Sequence, residues 1–137
     1  MLGAPPHASQ QTQVLLHAVA AEQDLVWIYA KVMSVYSGLA ATLAPLRAEH
    51  EAHLAQLRAR VIEPPGKQVQ ATVTERPAVA ATRAAALAQL RAAEQAAVTA
   101  QMDRLAAAPA SLAQLYASIA ASESTHASVL GAKAGGR

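Results

Sequence analysis

Cysteine and phenylalanine are absent from this 137-residue chain, which has one tryptophan and three tyrosines. Without cysteine the protein has no disulfide, no thiolate chemistry and no zinc or iron–sulfur site with cysteine ligands. Any bound metal must therefore be held by nitrogen and oxygen ligands.

Long runs of basic or of apolar residues are also missing. The net charge of +2 comes from arginines spread along the chain, with neither a basic stripe nor an aromatic stacking platform, so we expect no nucleic-acid partner. No apolar run approaches the roughly 18 residues that span a bilayer, so we expect no transmembrane segment. The N-terminus also lacks the basic and apolar regions of a signal peptide. As written, the chain is expected in the cytoplasm; the alternative is an exported or lipid-anchored protein whose leader is absent here.

The abundant residues favour helices. Alanine and leucine dominate, valines are scattered singly, and no stretch alternates apolar and polar residues as a half-buried strand would. The sequence therefore predicts an all-α protein. Breakers and caps divide it into four helices, at about residues 9–37, from 43 to just before Pro64, 75–108 and 109–131, with Ser9 as an N-cap and Pro45 and Pro77 in first turns.

The connections between these helices set the topology. Short links join the first helix to the second and the third to the fourth, which predicts two antiparallel hairpins. Residues 63–74, at about 3.3 Å per residue, can run the length of a roughly 30 Å helix, so the second and third helices can be parallel. We expect a four-helix bundle over residues 9–131, two hairpins joined by a long crossover, with flexible tails at 1–8 and 132–137.

An internal repeat carries the scarce acidic and histidine residues. Ala-Ala-Glu-Gln at 20–23 returns at 92–95, and the His-x-x-His that ends at His53 returns, 73 residues later, as the Glu-x-x-His that ends at His126. Composition alone does not explain this match, because these residue types are scarce here. The repeat therefore selects six candidate site residues, namely Glu22, His50, His53, Glu94, Glu123 and His126.

Helical spacing places all six in the apolar stripes of their helices, as Glu22 shows among Leu15, Val19 and Tyr29. Counting from the turns puts them level in the bundle within roughly one helical turn. Burying several carboxylates costs several kcal/mol per ion unless positive charge neutralises them, and no matching set of inward lysines or arginines is present. A divalent metal pair would supply that charge.

At these residues the chain resembles ferritin-like proteins. Their carboxylate-bridged iron or manganese pair is bound by one Glu from each of two helices and by Glu-x-x-His from each of the other two. Short length, alanine-rich helices and Ala-Glu-Gln openings also make the chain similar to a small actinobacterial ferritin-like family of unknown function. The resemblance covers about residues 9–130 and is best in the second half, with Glu94, Glu123 and His126.

The resemblance implies a metal-binding protein. Iron is the expected divalent metal, with manganese or zinc as alternatives, and a di-iron or di-manganese oxidase or ferroxidase centre is the finer expectation. A homodimer is our default for the assembly. Catalytic residues are not assigned, and whether the protein is an enzyme stays open.

The first half departs from the ferritin-like pattern, because position 50 is histidine where the motif has glutamate. Glu49 is a candidate substitute; without it the set is three Glu and three His, which also suits a single ion, zinc or copper. Tyr29 and Tyr116, each seven residues from a candidate glutamate, are candidate hydrogen-bond donors to a ligand, or else ordinary core residues.

Two other classes of function stay open. One is a metal-free helical interaction or adaptor module, whose polar layer fixes helix register and whose ligand is a protein partner. The other is a bundle that binds a small molecule, which requires a cavity between the helices.

Overall fold

Four long helices make up most of residues 9–62 and 76–135, which are the residues that the computed structural model describes. They are α1 (Gln10–Val35), α2 (Ala40–Arg60), α3 (Arg83–Ala106) and α4 (Ala110–Ala134), and a single 3₁₀ turn, Ser37–Leu39, joins α1 to α2. No strand occurs within these described ranges. The prediction of an all-α four-helix bundle is confirmed.

Two apolar clusters, one at each end of the bundle, fix the directions of the helices. The lower core consists of Leu15, Ala18, Val19, Leu57, Leu112, Tyr116 and Ile119. The upper core consists of Ile28, Tyr29, Val32, Leu39, Leu43, Leu46, Ala86, Leu87, Leu90 and Leu130. Because the start of α1 meets the end of α2 in the lower core, these helices are antiparallel, and the upper core shows the same for α3 and α4.

The two hairpins of the prediction are therefore present, and α2 and α3 run parallel. The upper core joins the start of α2 to the start of α3, so the end of α2 lies at the opposite end of the bundle from the beginning of α3. The predicted crossover, about residues 63–74, lies outside the described residues.

Capping explains where α1 begins. The hydroxyl of Ser9 accepts a hydrogen bond from the backbone N–H of Thr12 at 3.1 Å, which is the N-cap role that the sequence predicts. The α1–α2 link is shorter than predicted, since α2 begins at Ala40 and not after Thr42. Pro45 consequently lies inside α2, beyond its first turn.

The third helix begins later than predicted, at Arg83 and not near residues 75–77. Thr82 is its N-cap and accepts from the N–H of Ala85 at 3.1 Å. Just before it, the side chain of Gln89 accepts from the N–H of Ala80 and donates to the carbonyl of Ala78, and the Tyr36 hydroxyl donates to the carbonyl of Ala80. The backbone N–H of Ala80 and the carbonyls of Ala78 and Ala80 are thus hydrogen-bonded to side chains, and they do not need a helix to satisfy them.

The fourth helix continues past Gly131 to Ala134. Gly131 was expected to end it, but the residue instead permits a close contact, because a Cβ atom there would lie 3.1 Å from Nε of Arg91. The glycine is used for packing of α3 against α4, and the helix has no reason to stop at it.

No single helix of the described residues has both the length and the apolar character needed to cross a membrane. Within the described part of the chain, Gln10–Val35 and Ser37–Arg60 meet these two criteria of length and composition only when taken together, and the chain bends by 120° between them.

Candidate metal centre

A layer of six buried polar side chains lies between the lower core and the upper core. We call it the polar layer; α1 and α3 each contribute one residue, and α2 and α4 each contribute two. His53 is 8% exposed and the other five are at most 1% exposed. The members are Glu22, His50, His53, Glu94, Glu123 and His126, the six residues that the repeat selected.

Helical periodicity explains why these polar groups face inward. Glu22 lies seven residues from the buried Leu15 and from the buried Tyr29, and His50 lies seven residues from Leu43 and from Leu57. Seven residues are nearly two helical turns, so each polar residue is on the same face as its apolar neighbours. Burial of the apolar face therefore carries the polar group into the core.

His50 is at the centre of the layer and links α1 to α3. Its Nδ1 atom is 2.7 Å from Oε2 of Glu22, and its Nε2 atom forms a hydrogen bond with Oε1 of Glu94. Burial by itself lowers the pKa of His50, but the hydrogen bonds to these two carboxylates and their negative charge overcome that effect and raise it to about 10. Without a metal, His50 is thus an imidazolium that donates to both glutamates.

His126 has one nitrogen inside the layer and the other towards its edge. Its Nδ1 is 3.4 Å from Oε2 of Glu94 and 3.3 Å from Nε2 of His50. Its Nε2 is 3.0 Å from Oε2 of Glu49, whose side chain is 55% exposed. Glu49 therefore contacts the histidine of α4 from outside the layer. This carboxylate–imidazole contact is the kind that orients a metal-binding histidine.

Four members of the layer have ligand atoms that no N–H or hydroxyl group of the described residues reaches, so that only a proton of its own lets Glu123 bond to Glu22. Such a group costs roughly 1–3 kcal/mol when it is buried, so native proteins contain few of them. Oε1 of Glu22 and Nδ1 of His53, one pair of these atoms, are 3.9 Å apart. The unpartnered atoms are Oε1 of Glu22, Nδ1 of His53, Oε2 of Glu94 and both carboxylate oxygens of Glu123.

Electrostatics decides which members carry protons. Burial, followed by the charge of Glu22 and a hydrogen bond to it, raises the pKa of Glu123 to about 9. Burial lowers the pKa of His53, so this imidazole is neutral at pH 7. Burial opposes ionisation of Glu94, but the neighbouring imidazoles of His126 and His50 outweigh it and lower the pKa of that carboxyl. The layer thus has the imidazolium of His50 hydrogen-bonded to the ionised carboxylate of Glu94 on one side and to Glu22 on the other.

Among the described residues, two groups of three have their ligand atoms within 4.8 Å of one another. Each group contains two histidines and one carboxylate, the composition of many catalytic zinc sites and of non-haem ferrous sites. Both groups contain His50, and a neutral imidazole has one lone pair for a metal, so His50 serves one group at a time. The groups are Glu22, His50 and His53, and His50, Glu94 and His126. These buried clusters could hold a divalent metal.

The two candidate tyrosine donors behave differently. The Tyr29 hydroxyl donates to Oε1 of Glu94 at 2.9 Å, and burial, then the charge of Glu94, holds the pKa of Tyr29 well above its ordinary value. Tyr116 belongs to the lower core, and its hydroxyl has no partner in the described ranges. Ser122, whose hydroxyl is 3.3 Å from Nε2 of His126, was missed, although its position four residues before His126 places it one turn away.

The scan of protein-family models and the searches of curated proteins and of solved structures found no match to this chain. The resemblance to ferritin-like proteins stays a prediction that depends on the residues of the polar layer.

Proposed function

We propose that this protein binds divalent metal in its polar layer, as ferritin-like proteins do. The observation that carries the proposal is the set of unpartnered ligand atoms, which come from four different residues of all four helices. A cation in the layer would satisfy them together and would neutralise the buried carboxylates. Lysine and arginine do not contact these oxygens within the described residues.

The sharing of His50 suggests how two ions would divide the ligands. His50, Glu94 and His126 form one complete group. A second ion then has the unpartnered atoms of Glu22 and His53. Glu123 can form a hydrogen bond with Glu22, but its oxygens belong to neither group of converging ligand atoms, so its side chain would have to turn towards His53 to be the third ligand. We therefore expect one ion in the first group and a second ion between Glu22 and His53, with Glu123 recruited when the metal binds. Metal binding would displace the protons of His50 and Glu123.

The ligand set favours iron, with manganese or zinc as alternatives. Three carboxylates and three imidazoles suit a first-row divalent ion better than Mg²⁺ or Ca²⁺, which prefer oxygen ligands alone. A bound ferrous pair would supply electrons for the reduction of dioxygen or peroxide, which is the basis for an oxidase or ferroxidase function. Tyr29 and Glu49 would orient Glu94 and His126 through their hydrogen bonds.

Metal content is the direct test of this function. The protein is incubated with ferrous, manganous or zinc ions, desalted and measured by inductively coupled plasma mass spectrometry. We expect one or two equivalents in the wild type and a loss in Glu94→Ala and Glu123→Ala. Glu51→Ala is the matched control, because Glu51 pairs with Arg47 on the outer face of α2. Unchanged stoichiometry in both layer variants, with helicity intact by circular dichroism, would contradict the proposal.

A metal-free interaction module is the second candidate, and the position of His50 favours it. As an imidazolium between Glu22 and Glu94, His50 neutralises part of the layer without any metal. A proton on Glu123 removes another charge. This candidate predicts a folded protein that retains no metal, a melting temperature that metal does not change, and a partner protein that co-purifies.

A further inference from the structure

A cavity of about 520 Å³ lies at the end of the bundle where α1 and α4 begin. The first residues of α1, the α3–α4 turn and the side chains of Arg104 and Tyr116 line it. It adjoins the lower core, and none of its lining residues belongs to the polar layer, although the charge of Arg104 interacts with those of Glu123 and Glu22. Tyr116 and Glu123, seven residues apart on α4, are about 10 Å apart along the helix axis.

Two side chains in this cavity have hydrogen-bond donors to offer. Tyr116 is 1% exposed, and its hydroxyl has no partner in residues 9–62 and 76–135. Arg104 is half-buried, and the ion pairs formed by described residues do not include its guanidinium. A buried hydroxyl and a half-buried cation without partners are groups that an anionic oxygen would satisfy.

The helix termini add positive potential to the same place. Both α1 and α4 start here, and neither has an acidic residue in its first turn. Pro109 precedes α4 and provides no side-chain cap, so the first N–H groups of α4 are not capped by a side chain. The positive ends of two helix dipoles favour an anion.

The remaining walls are apolar and select the rest of the ligand. Val14, Ala107, Ala108 and Leu112 line the cavity, and they suit a short hydrocarbon chain. Asp103 lines it as well but is exposed, so a second negative charge on the ligand would meet repulsion at the rim. We propose that this cavity binds a small monocarboxylate with a short apolar chain, whose carboxylate receives hydrogen bonds from Arg104 and Tyr116.

Isothermal titration calorimetry of the metal-free protein tests this site, with hexanoate as the probe. Hexan-1-ol and hexylammonium have the same chain and isolate the effect of the carboxylate. We expect hexanoate to bind at least about tenfold more tightly than hexan-1-ol, because hydrogen bonds to charged groups are the stronger ones. Hexylammonium, whose charge has the wrong sign, should not bind.

Two variants and a control identify the donors. Arg104→Gln should weaken hexanoate binding at least about tenfold, and Tyr116→Phe several-fold. Arg58→Gln, an exposed arginine near the same end of the bundle, should leave the affinity unchanged. Thermal melts establish that each variant is folded before it is titrated.

Three results would contradict the proposed carboxylate site. Equal binding of hexanoate and hexan-1-ol would mean an apolar crevice without an anion site, and the proposal would be wrong. It would also be wrong if no saturable binding occurred at millimolar hexanoate, or if Arg104→Gln and Tyr116→Phe both bound hexanoate like the wild type. Because the titration uses metal-free protein, its outcome is distinct from that of the metal-content experiment.

Discussion

The two hairpins place matched polar residues in one layer, but they differ at a single decisive position. The α1–α2 hairpin has His50 where the α3–α4 hairpin has Glu123. His50 is hydrogen-bonded to carboxylates on both sides, whereas no N–H or O–H group of another described residue reaches Glu123, which bonds to Glu22 only through a proton of its own. The same depth in the bundle therefore holds the most fully paired and the least paired member of the layer.

This difference would allow the proposed metal site to tolerate the absence of metal. Four buried carboxylates would repel one another, and each ion loses solvation worth several kcal/mol. A histidine at position 50 replaces one negative charge by a positive one, and a proton on Glu123 removes another. His50 of the first hairpin thus stabilises the metal-free bundle, and both hairpins have atoms that could bind a metal.

His50→Glu should break this arrangement with the largest effect. It removes the imidazolium between Glu22 and Glu94 and adds a fourth buried carboxyl group. Breaking a buried ion pair costs about 3–5 kcal/mol, so the metal-free variant should melt more than about 10 °C below the wild type. Added ferrous or manganous ions should restore much of that stability, because they bind only the folded state.

His17→Glu is the matched control for this variant, since His17 is exposed on α1. It should change the melting temperature little, with or without metal. If His50→Glu melted like the wild type in the absence of metal, His50 would not be the charge that stabilises the layer.

The pH dependence of stability in the metal-free protein tests the role of Glu123, which is the counterpart of His50 in the α3–α4 hairpin. Folding raises the pKa of Glu123 from 4.5 to about 9. Its contribution to stability is therefore complete below about pH 4.5 and is lost as the pH rises towards 9, by at most roughly 1.4 kcal/mol per pH unit. Glu123→Gln removes this dependence, and its amide can still donate to Glu22.

Urea unfolding of both proteins at pH 5, 7 and 9 measures the difference. His50 also has a raised pKa, and its contribution is lost between about 6.5 and 10. It is present in both proteins, so the difference between the two curves reports Glu123 together with its coupling to His50. Parallel stability curves for the wild type and Glu123→Gln would contradict a protonated Glu123 in the folded state.

The sequence predicted the members of the layer but not their pairing. Apolar spacing of seven residues was enough to place Glu22 and His50 inside, because burial of a helix face carries all its residues with it. Which nitrogen of His50 meets which carboxylate depends on rotamers and on helices far apart in the chain. The contact of Glu49 with His126, 77 residues apart, could not be read from a helical pattern for the same reason.

The first residue of α3 was also predicted wrongly, because it too depends on contacts between residues far apart in the chain. Local signals at residues 74–77 resemble a helix start, and they predicted one there. The observed start at Arg83 depends on Tyr36, which is 44 residues from its acceptor on Ala80, and on Gln89 in the second turn of α3. Tertiary hydrogen bonds outweighed the local preference, as commonly happens with marginal caps.

Tyr29→Phe tests the link between the upper core and the layer, with a smaller expected effect. Loss of the hydrogen bond to Glu94 should lower stability by about 1–2 kcal/mol and metal affinity by roughly 10–100-fold. Tyr36→Phe is the control, because Tyr36 also loses a hydrogen bond, to Ala80, but lies outside the layer. Competition against a metallochromic chelator measures both affinities, and equal affinities would mean that Tyr29 has only a packing role.

Glu49→Gln should have the smallest effect on stability and still change metal binding. Its carboxylate is half exposed, so the contact with His126 should contribute less than about 1 kcal/mol to folding. With a metal on Nδ1 of His126, the same carboxylate holds the Nε2 proton and fixes the ring, so the variant should bind metal roughly 10-fold more weakly. Glu51→Gln should match the wild type, because Glu51 is on the outer face of α2, where it pairs with Arg47. If Glu49→Gln bound metal with wild-type affinity, Glu49 would be a surface residue without a role in metal binding. Ser122, whose hydroxyl also contacts Nε2 of His126, would then be the only group that orients this ring among the described residues.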